Sequence, residues 1–470
     1  MATDAELPLA PSQETLWEFM TALTPHDPSA ARLLVVDCRM IHGRLDPATF
    51  RAALDDVTRR HEALRMVFTR LGPEPAVRIR HRAAAPLRLV DLTGRPPHEQ
   101  DVGIDRLVFR ERTRTFDLLA GPLWHANLVR LAPERHLLTL SFFHLVSDGW
   151  SCRVLVEDLL AAYGARLAGR PVEAPPAPTF REISAMQRER IADRPDRLAY
   201  WRRELRLPER YLRFPARTPD PDTDLTAETY HPFTLRAETA DGVRQRAWRL
   251  RTTPYILLMA AFHILLALRT GAERVTVGTT TSGRETVASR RAVCQFTNNV
   301  YVPATVRPTD PLADVVRAVH AATVGATEHV SSFLSLARAV YPGLAADRPW
   351  PDNHLFDAWL QSAAADRDPL EAAGLRVEQP FVEGGPDPDA APVLRAADVP
   401  AAQLPTWIKK GSPIVVIDDD RRGGGLICNR CLFPTEQVAG LVTDLLSTVE
   451  AIVRDPGTRV AALPAAAPGR

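Results

Sequence analysis

The stretch Leu137 to Leu159, LLTLSFFHLVSDGWSCRVLVEDL, constrains the fold most, because it demands a strand, a tight turn and a helix in immediate succession. Leu137 to Phe143 alternates, with Leu138, Leu140 and Phe142 on one face and Thr139, Ser141 and Phe143 on the other. These residue types suit a pleated surface. If the strand runs on to His144, that ring falls on the Leu138/Leu140/Phe142 face. Ser147-Asp148-Gly149 supplies turn chemistry and a helix cap, and Val154, Leu155, Leu159 and Leu160 then recur at helical spacing. Side chains at such strand-to-helix joints project from a rigid scaffold into a cleft in α/β folds. Read alone, His144 is either a hydrogen-bonded core residue or a titratable group at that cleft.

The flanking segments extend the α/β pattern. Pro11 to Leu23 predicts a helix capped by Ser12, with Leu16, Trp17, Met20 and Leu23 on one face. Leu33 to Ile41 reads as a strand, and Asp46-Pro47 opens a helix that ends on Arg59-Arg60-His61. Strands at Ala76 to Arg80 and Trp124 to Leu131, with a helix through Phe109 to Thr113, complete a first half. Pro171 to Pro178 then holds four prolines in eight residues, which can continue neither helix nor sheet and predict a linker. Beyond it the pattern predicts one helix over Phe180 to Leu205, a strand at Thr229 to Leu235 and an apolar helix at Thr253 to Arg269. Strands at Val275 to Gly278 and Phe296 to Pro303, helices at Pro311 to His329 and Ser331 to Val340, and a strand at Leu355 to Gln361 follow. A stretch dense in Asp, Pro and Gly covers Val382 to Pro405. Strands at Ile414 to Ile417 and Leu426 to Cys431 precede a last helix over Thr435 to Val453. From Ala461 onward no core-forming pattern remains.

Composition removes several function classes. With 58 basic against 57 acidic residues, the net charge of +1 gives no argument for nucleic acid or an anionic membrane. All but two of the basic residues, Lys409 and Lys410, are arginine, which fits coding bias rather than a binding surface. No apolar run reaches the roughly 18 to 20 residues that span a bilayer. The start MATDAELPLAPSQ lacks the basic and apolar regions of a secretory signal, so a cytoplasmic protein is expected. Five cysteines are sparse, and the pair Cys428/Cys431 has no second pair or histidine cluster beside it, so no metal is expected.

Several segments match, in order, the landmarks of one family. Leu7 to Gln13 with Leu16-Trp17, Gly43 to Asp46 leading to Arg60-His61-Glu62-Ala63-Leu64-Arg65, and Phe116-Asp117-Leu118 with Gly121-Pro122-Leu123 are the first. Tyr200-Trp201, Val277-Gly278 through Gly283-Arg284, Phe296 to Asn298, and Leu426 to Phe433 follow. Together these make the chain resemble the condensation-domain family of nonribosomal peptide synthesis, within the chloramphenicol-acetyltransferase-like acyltransferases. The family's central motif, two histidines, three residues, Asp and Gly, corresponds here to Phe143-His144-Leu145-Val146-Ser147-Asp148-Gly149. Phenylalanine stands at the first histidine, leaving HxxxDG. The family's later Asp-Phe-Gly-Trp-Gly motif is replaced by the surroundings of Lys410-Gly411-Ser412-Pro413.

The resemblance implies an α/β fold of two chloramphenicol-acetyltransferase-like lobes, each a mixed β-sheet flanked by helices, arranged as a V around a tunnel. The expected domains are an N-terminal lobe over 1–170, the linker over 171–178, a C-terminal lobe over 179–457 with segments bridging back, and a tail over 458–470. It implies a monomeric, free-standing enzyme that moves an acyl or aminoacyl group from a carrier-protein thioester to an amine or alcohol in natural-product biosynthesis. His144 would be the general base or the positioner of the attacking atom. No intrinsic cofactor is implied. The phosphopantetheine arm would come on an acyl or peptidyl carrier protein, or as coenzyme A, and the acceptor would be a small molecule or carrier-bound.

Asp148 would hold the loop by pairing with Arg284 or Arg65, and Gly149 would either admit the substrate arm or serve a turn with positive φ. Phe143, Trp150, Ser151 and Asn298 are the tunnel-lining candidates. Phe143 would either pack behind His144 or crowd it. Two other functions fit the same residues: an O- or N-acyltransferase using acyl-coenzyme A, and a non-catalytic recruitment domain with a degenerate site.

Overall fold

The strand and helix patterns assemble as follows in a computed structural model, which describes residues 6–23, 33–71, 74–191, 194–205, 228–340, 355–362, 369–379, 413–417, 423–429 and 433–464. The first half contains β1 (Leu7–Pro8), α1 (Pro11–Leu23), β2 (Leu34–His42), α2 (Pro47–Arg60), β3 (Met66–Arg70), β4 (Ala76–Ile79), β5 (Leu87–Asp91), α3 (Pro97–Arg112), β6 (Trp124–Ala132), β7 (Arg135–Phe143) and α4 (Gly149–Leu167). The second half contains α5 (Phe180–Ile191), α6 (Pro195–Glu204), β8 (Glu228–Thr234), α7 (Ala237–Arg249), α8 (Pro254–Thr270), β9 (Arg274–Thr281), α9 (Val287–Arg290) and β10 (Asn298–Thr305). After these come α10 (Leu312–Glu328), α11 (Phe333–Val340), β11 (Ala358–Ser362), β12 (Leu370–Ala372), β13 (Leu375–Glu378), β14 (Ile414–Ile417), β15 (Gly423–Asn429) and α12 (Thr435–Arg454).

Two six-stranded sheets carry the molecule, in the orders β12-β13-β2-β7-β6-β5 and β10-β9-β11-β14-β15-β8, and β1-β4-β3 form a small third sheet. Both large sheets are mixed: β5 runs parallel to β6, and β11 runs parallel to β9 and β14. The mixed, helix-flanked pair of sheets is the α/β architecture expected. One segment of the second half crosses over, because β13 pairs antiparallel with β2 (Val377 opposite Ile41) and extends the N-terminal sheet.

The middle strand β7 is buried on both faces, which explains why its alternation is apolar against small polar. Leu138, Leu140 and Phe142 join a core with Phe50, Leu54 and Val57 of α2 and Leu155 and Leu159 of α4. The opposite face lies under α3, where Asn127 donates to Thr139 Oγ1 (2.8 Å) and Ser141 donates to Glu111 (2.6 Å). Glu111 is fully buried and also accepts two bonds from Arg114. Burial pushes this carboxyl's pKa up, but His125, Arg114 and Ser141 more than offset it and hold the group well below the usual range. A depressed carboxyl pKa makes a stability contribution that is complete above the ordinary glutamate value of about 4.3 and is lost as pH falls below it. Glu111→Gln is therefore expected to flatten the acid limb of a stability-against-pH curve measured by denaturant unfolding.

In the second half, α8 is the central helix, with every residue from Ile256 to Ala267 buried. Thr253 caps its start and Gly271, at φ 71°, closes its end, the left-handed position that glycine adopts without a Cβ clash. Among the described residues no single helix is long and apolar enough to cross a membrane; α7 with α8 reaches that length only across a bend of 101°.

Four expectations change. The helix predicted over Phe180 to Leu205 is two helices, because Pro195 lacks an N–H and starts a new one. Ser12 does not cap α1: it lies inside the helix, and its hydroxyl donates to the Gln295 carbonyl 2.8 Å away. The tail is packed as far as Leu463, with Val460 and Leu463 buried in the C-terminal core. Helix α7 was not anticipated, since its face toward the core holds only Thr239, Ala240, Val243 and Ala247. Cys428 is buried in β15, while Cys431, Val382 to Pro405 and Lys410 to Ser412 lie outside the described residues.

Candidate active site

Strand β7 ends at Phe143, and the chain turns there into a short 3-10 turn, His144–Val146. The His144 N–H still donates to the Leu33 carbonyl (2.8 Å), so the backbone is held by the sheet while the ring leaves strand geometry. The His144 ring is half-buried, and its Nδ1 lies 2.9 Å from the Ser147 carbonyl oxygen. A carbonyl only accepts, so Nδ1 is the donor here, which puts the lone pair of the imidazole form at Nε2. Leu145 and Val146 anchor the turn in the core. Gln13 from α1 donates to the Leu145 carbonyl at 2.6 Å while accepting from the Ala10 N–H.

Asp148 follows as the N-cap of α4 and is buried. Its Oδ1 accepts from the Ser151 N–H (2.8 Å), the Ser151 hydroxyl (2.7 Å) and Arg284 (2.8 Å), and its Oδ2 accepts from Arg284 and the Phe296 N–H, both at 3.0 Å. Arg284 is equally buried: it donates to the carbonyls of Ser289, Ala292 and Cys294, and its guanidinium lies over the Phe296 ring at 4.3 Å. An ion pair this deep holds only because nearly every lone pair and proton around it is matched. Gly283, at φ 69°, makes the approach feasible, because a Cβ there would stand 2.7 Å from the Phe296 carbonyl oxygen. Close by, Gln187 of α5 accepts from the Ser12 N–H and donates to the Gln295 carbonyl. The His144 turn is thereby clasped to residues 284–296 of the second half.

The other sequence candidates fall in different places. Arg65 does not reach Asp148; it donates to the carbonyls of Thr58, Arg80 and His81 and ties the end of α2 to β4. Gly149 is the exposed first residue of α4, in helical conformation rather than a turn with positive φ. Ser151 is fully buried within the Asp148–Arg284 cluster and lines no open space. Asn298 is buried at the start of β10 and donates to the Phe296 carbonyl. Trp150 is partly exposed, and its Nε1 donates to the Arg290 carbonyl across the seam.

Phe143 is 1% exposed and packs edge-on against Phe116, with ring centroids 6.4 Å apart. It belongs to the core behind the turn and lines no opening. Phe143→His is therefore expected to bury a polar ring without a partner, costing about 1–3 kcal/mol in denaturant unfolding, and to bring no gain in turnover. Gln187 and Gln295 were not singled out from sequence, and Gln13 and Ser147 were read only as parts of a family landmark and of the turn. No local signal marks a glutamine whose partner is 132 or 108 residues away. Among the described residues no group of three or more His, Cys, Asp or Glu side chains could hold a metal ion.

Comparison with known proteins gives this site a family context. Residues 4–335 match the model of the condensation domain. The chain is 28% identical over 466 residues to phosphinothricin tripeptide synthetase PhsC of Streptomyces viridochromogenes, covering 98% of this chain but 40% of that protein. The crystal structure of SgcC5 from Streptomyces globisporus, in complex with (R)-(−)-1-(2-naphthyl)-1,2-ethanediol and sucrose, superposes with a TM-score of 0.72 at 25% identity, covering 96% of this chain and 100% of that one. The X-domain from teicoplanin biosynthesis has the same fold, with a TM-score of 0.75 at 24% identity over 98% of each chain. Two mixed sheets joined at a clasped HxxxDG turn, with a family match over most of its length, place the chain in the condensation-domain family of nonribosomal peptide synthesis.

Proposed function

We propose that the chain is a free-standing condensation enzyme that transfers an acyl or aminoacyl group from a phosphopantetheine thioester on a carrier protein to an amine or alcohol. The observation that carries this reading is the His144 ring, half-exposed at the joint, with Nδ1–H committed to the Ser147 carbonyl and Nε2 left as a base. For an alcohol acceptor, Nε2 takes the hydroxyl proton as the oxygen attacks the thioester carbon. The C–S bond then breaks, and the imidazolium returns the proton to the leaving thiolate, so an ester and a free thiol result. For an amine acceptor the nitrogen attacks with its own lone pair while Nε2 orients it; as the C–S bond breaks, Nε2 takes the proton lost from nitrogen and passes it to the leaving thiolate, giving an amide and a free thiol. SgcC5, solved with a diol bound, supports the alcohol acceptor. The Asp148–Arg284 pair takes no proton in this scheme; it holds the turn.

The test is intact-mass analysis of acyl-loaded carrier proteins with candidate amine and alcohol acceptors, before and after addition of the protein. Loss of the acyl mass from the carrier with appearance of an ester or amide product is expected. Turnover with acyl-coenzyme A but not with any acyl-carrier would establish the coenzyme A reading instead. Carrier or enzyme binding without product, unchanged by His144→Ala, would identify a recruitment domain.

A further inference from the structure

Two neighbouring residues of α1 reach opposite sides of the candidate site. Gln13 is fully buried; its side-chain oxygen accepts from the Ala10 N–H (3.0 Å) while its Nε2 donates to the Leu145 carbonyl (2.6 Å). These two bonds fix the amide from both ends, because an N–H only donates and a carbonyl only accepts. Nε2 also lies 3.7 Å from Met66 Sδ of β3 and 3.7 Å from Cys294 Sγ of the second half. Sulfur is a weak acceptor, so the carbonyl takes the strong bond. Ser12, one residue earlier, points about 100° away around the helix. It faces the second half, where Gln187 accepts from its N–H and both side chains donate to the Gln295 carbonyl, each at 2.8 Å.

The Leu145 carbonyl matters because of what stands on either side of it. His144 is held at its N–H by the Leu33 carbonyl, and its Nδ1 reaches forward to the Ser147 carbonyl. The peptide that Gln13 grips lies between those two points. If that peptide turns, residues 144 and 147 change their separation and the ring leaves its carbonyl. The buried side chains of Leu145 and Val146 resist displacement of the turn, but apolar burial is non-directional and sets no orientation for the peptide between them. A hydrogen bond to the carbonyl does set one.

We infer that Gln13 is a positioning residue for the proposed transfer: by holding the Leu145 carbonyl it sets where the His144 ring stands, and Ser12 beside it ties that setting to the second half. The inference rests on the condensation reading, in which the ring meets the acceptor. Gln13 touches no substrate in this scheme and acts only through the turn. Misplacing a reacting group by about 1 Å costs about 10²-fold in rate, so the loss falls on kcat rather than on binding.

Gln13→Met keeps the volume and removes both amide bonds. With acyl-loaded carrier it should lower kcat about 10- to 100-fold and leave KM within about twofold, in protein that circular dichroism shows to be folded. Selective 15N-histidine labelling, with the ring signals assigned by their loss in His144→Ala, supplies a second readout. Nδ1 of His144 should read as the protonated nitrogen in the imidazole form of the wild type and move towards a mixture of the two tautomers in Gln13→Met. Wild-type kcat, or ring signals unmoved from the wild type, would overturn the positioning role. Ser12→Ala cuts one tie to the second half and leaves the amide in place, so it should lower kcat less; no loss there would overturn the tie. Should Gln13→Met fail to fold, Gln13→Glu tests the same point. Only its protonated carboxyl can donate to the Leu145 carbonyl, so its kcat relative to wild type should fall as pH rises. A ratio flat in pH, or one that falls only in step with the circular dichroism, would overturn the inference. No turnover of any acyl-loaded carrier by the wild type, with the His144 signals still moved by Gln13→Met, would keep the positioning and overturn the condensation reading.

Discussion

Replacing His144 by alanine is expected to lower turnover by about 10²- to 10⁴-fold while the protein stays folded. The ring is half-exposed and bonded to the Ser147 carbonyl, so truncation removes about 1 kcal/mol of hydrogen bonding and leaves the buried Leu145 and Val146 anchors in place. Initial rates with acyl-loaded carrier, set beside a thermal melt, separate the two effects. His144→Asn sharpens the comparison, because its side-chain N–H can still donate to a nearby carbonyl but offers no base at the position of Nε2. With an alcohol acceptor both variants should fail alike. A free amine acceptor should lose less, since its nitrogen needs no deprotonation before attack. Full activity of His144→Ala with either acceptor would remove the ring from the mechanism.

Arg284→Met should be among the most destabilising single changes in the chain, at about 3–5 kcal/mol, because it strands the Asp148 carboxylate without its counter-charge. The two side chains are 0% and 2% exposed. The loss should appear as a lower denaturant midpoint, followed by both tryptophan fluorescence and circular dichroism. Asp148→Asn keeps the shape but forfeits the charge, and it should cost nearly as much because Arg284 is then the unpaired ion. The double variant should cost less than the sum of the two, as expected for one shared interaction. Strict additivity would mean that Asp148 acts only as the helix cap of Ser151 and that Arg284 acts only on the carbonyls of Ser289, Ala292 and Cys294.

How much of this was legible in sequence depends on the range of the interaction. The strand-turn-helix around His144 was readable because its signals are local. Alternation in Leu137 to Phe143, a capping aspartate and helical spacing after Gly149 each act within a few residues, and the structure has β7 and α4 where they indicate. Local signals also misled. Ser12 has the chemistry of a helix cap, yet its hydroxyl serves a carbonyl 283 residues away. The apolar face that joins Phe180 to Leu205 persists on both sides of Pro195, and only the missing N–H shows where the helix breaks.

The sequence by itself determined the element types, the position of the titratable ring at a strand end and the ordered landmarks of the family, because periodicity, capping and motif spacing are properties of neighbouring residues. Only the tertiary structure decided which arginine holds Asp148. Arg65 and Arg284 are the same side chain, and they differ only in what the fold brings within 3 Å of each. It also decided that Phe143 packs behind the turn, because the choice between core and cleft depended on the strand stopping one residue before His144. It decided, finally, which nitrogen of His144 faces a carbonyl, since the backbone turns the Ser147 oxygen toward Nδ1.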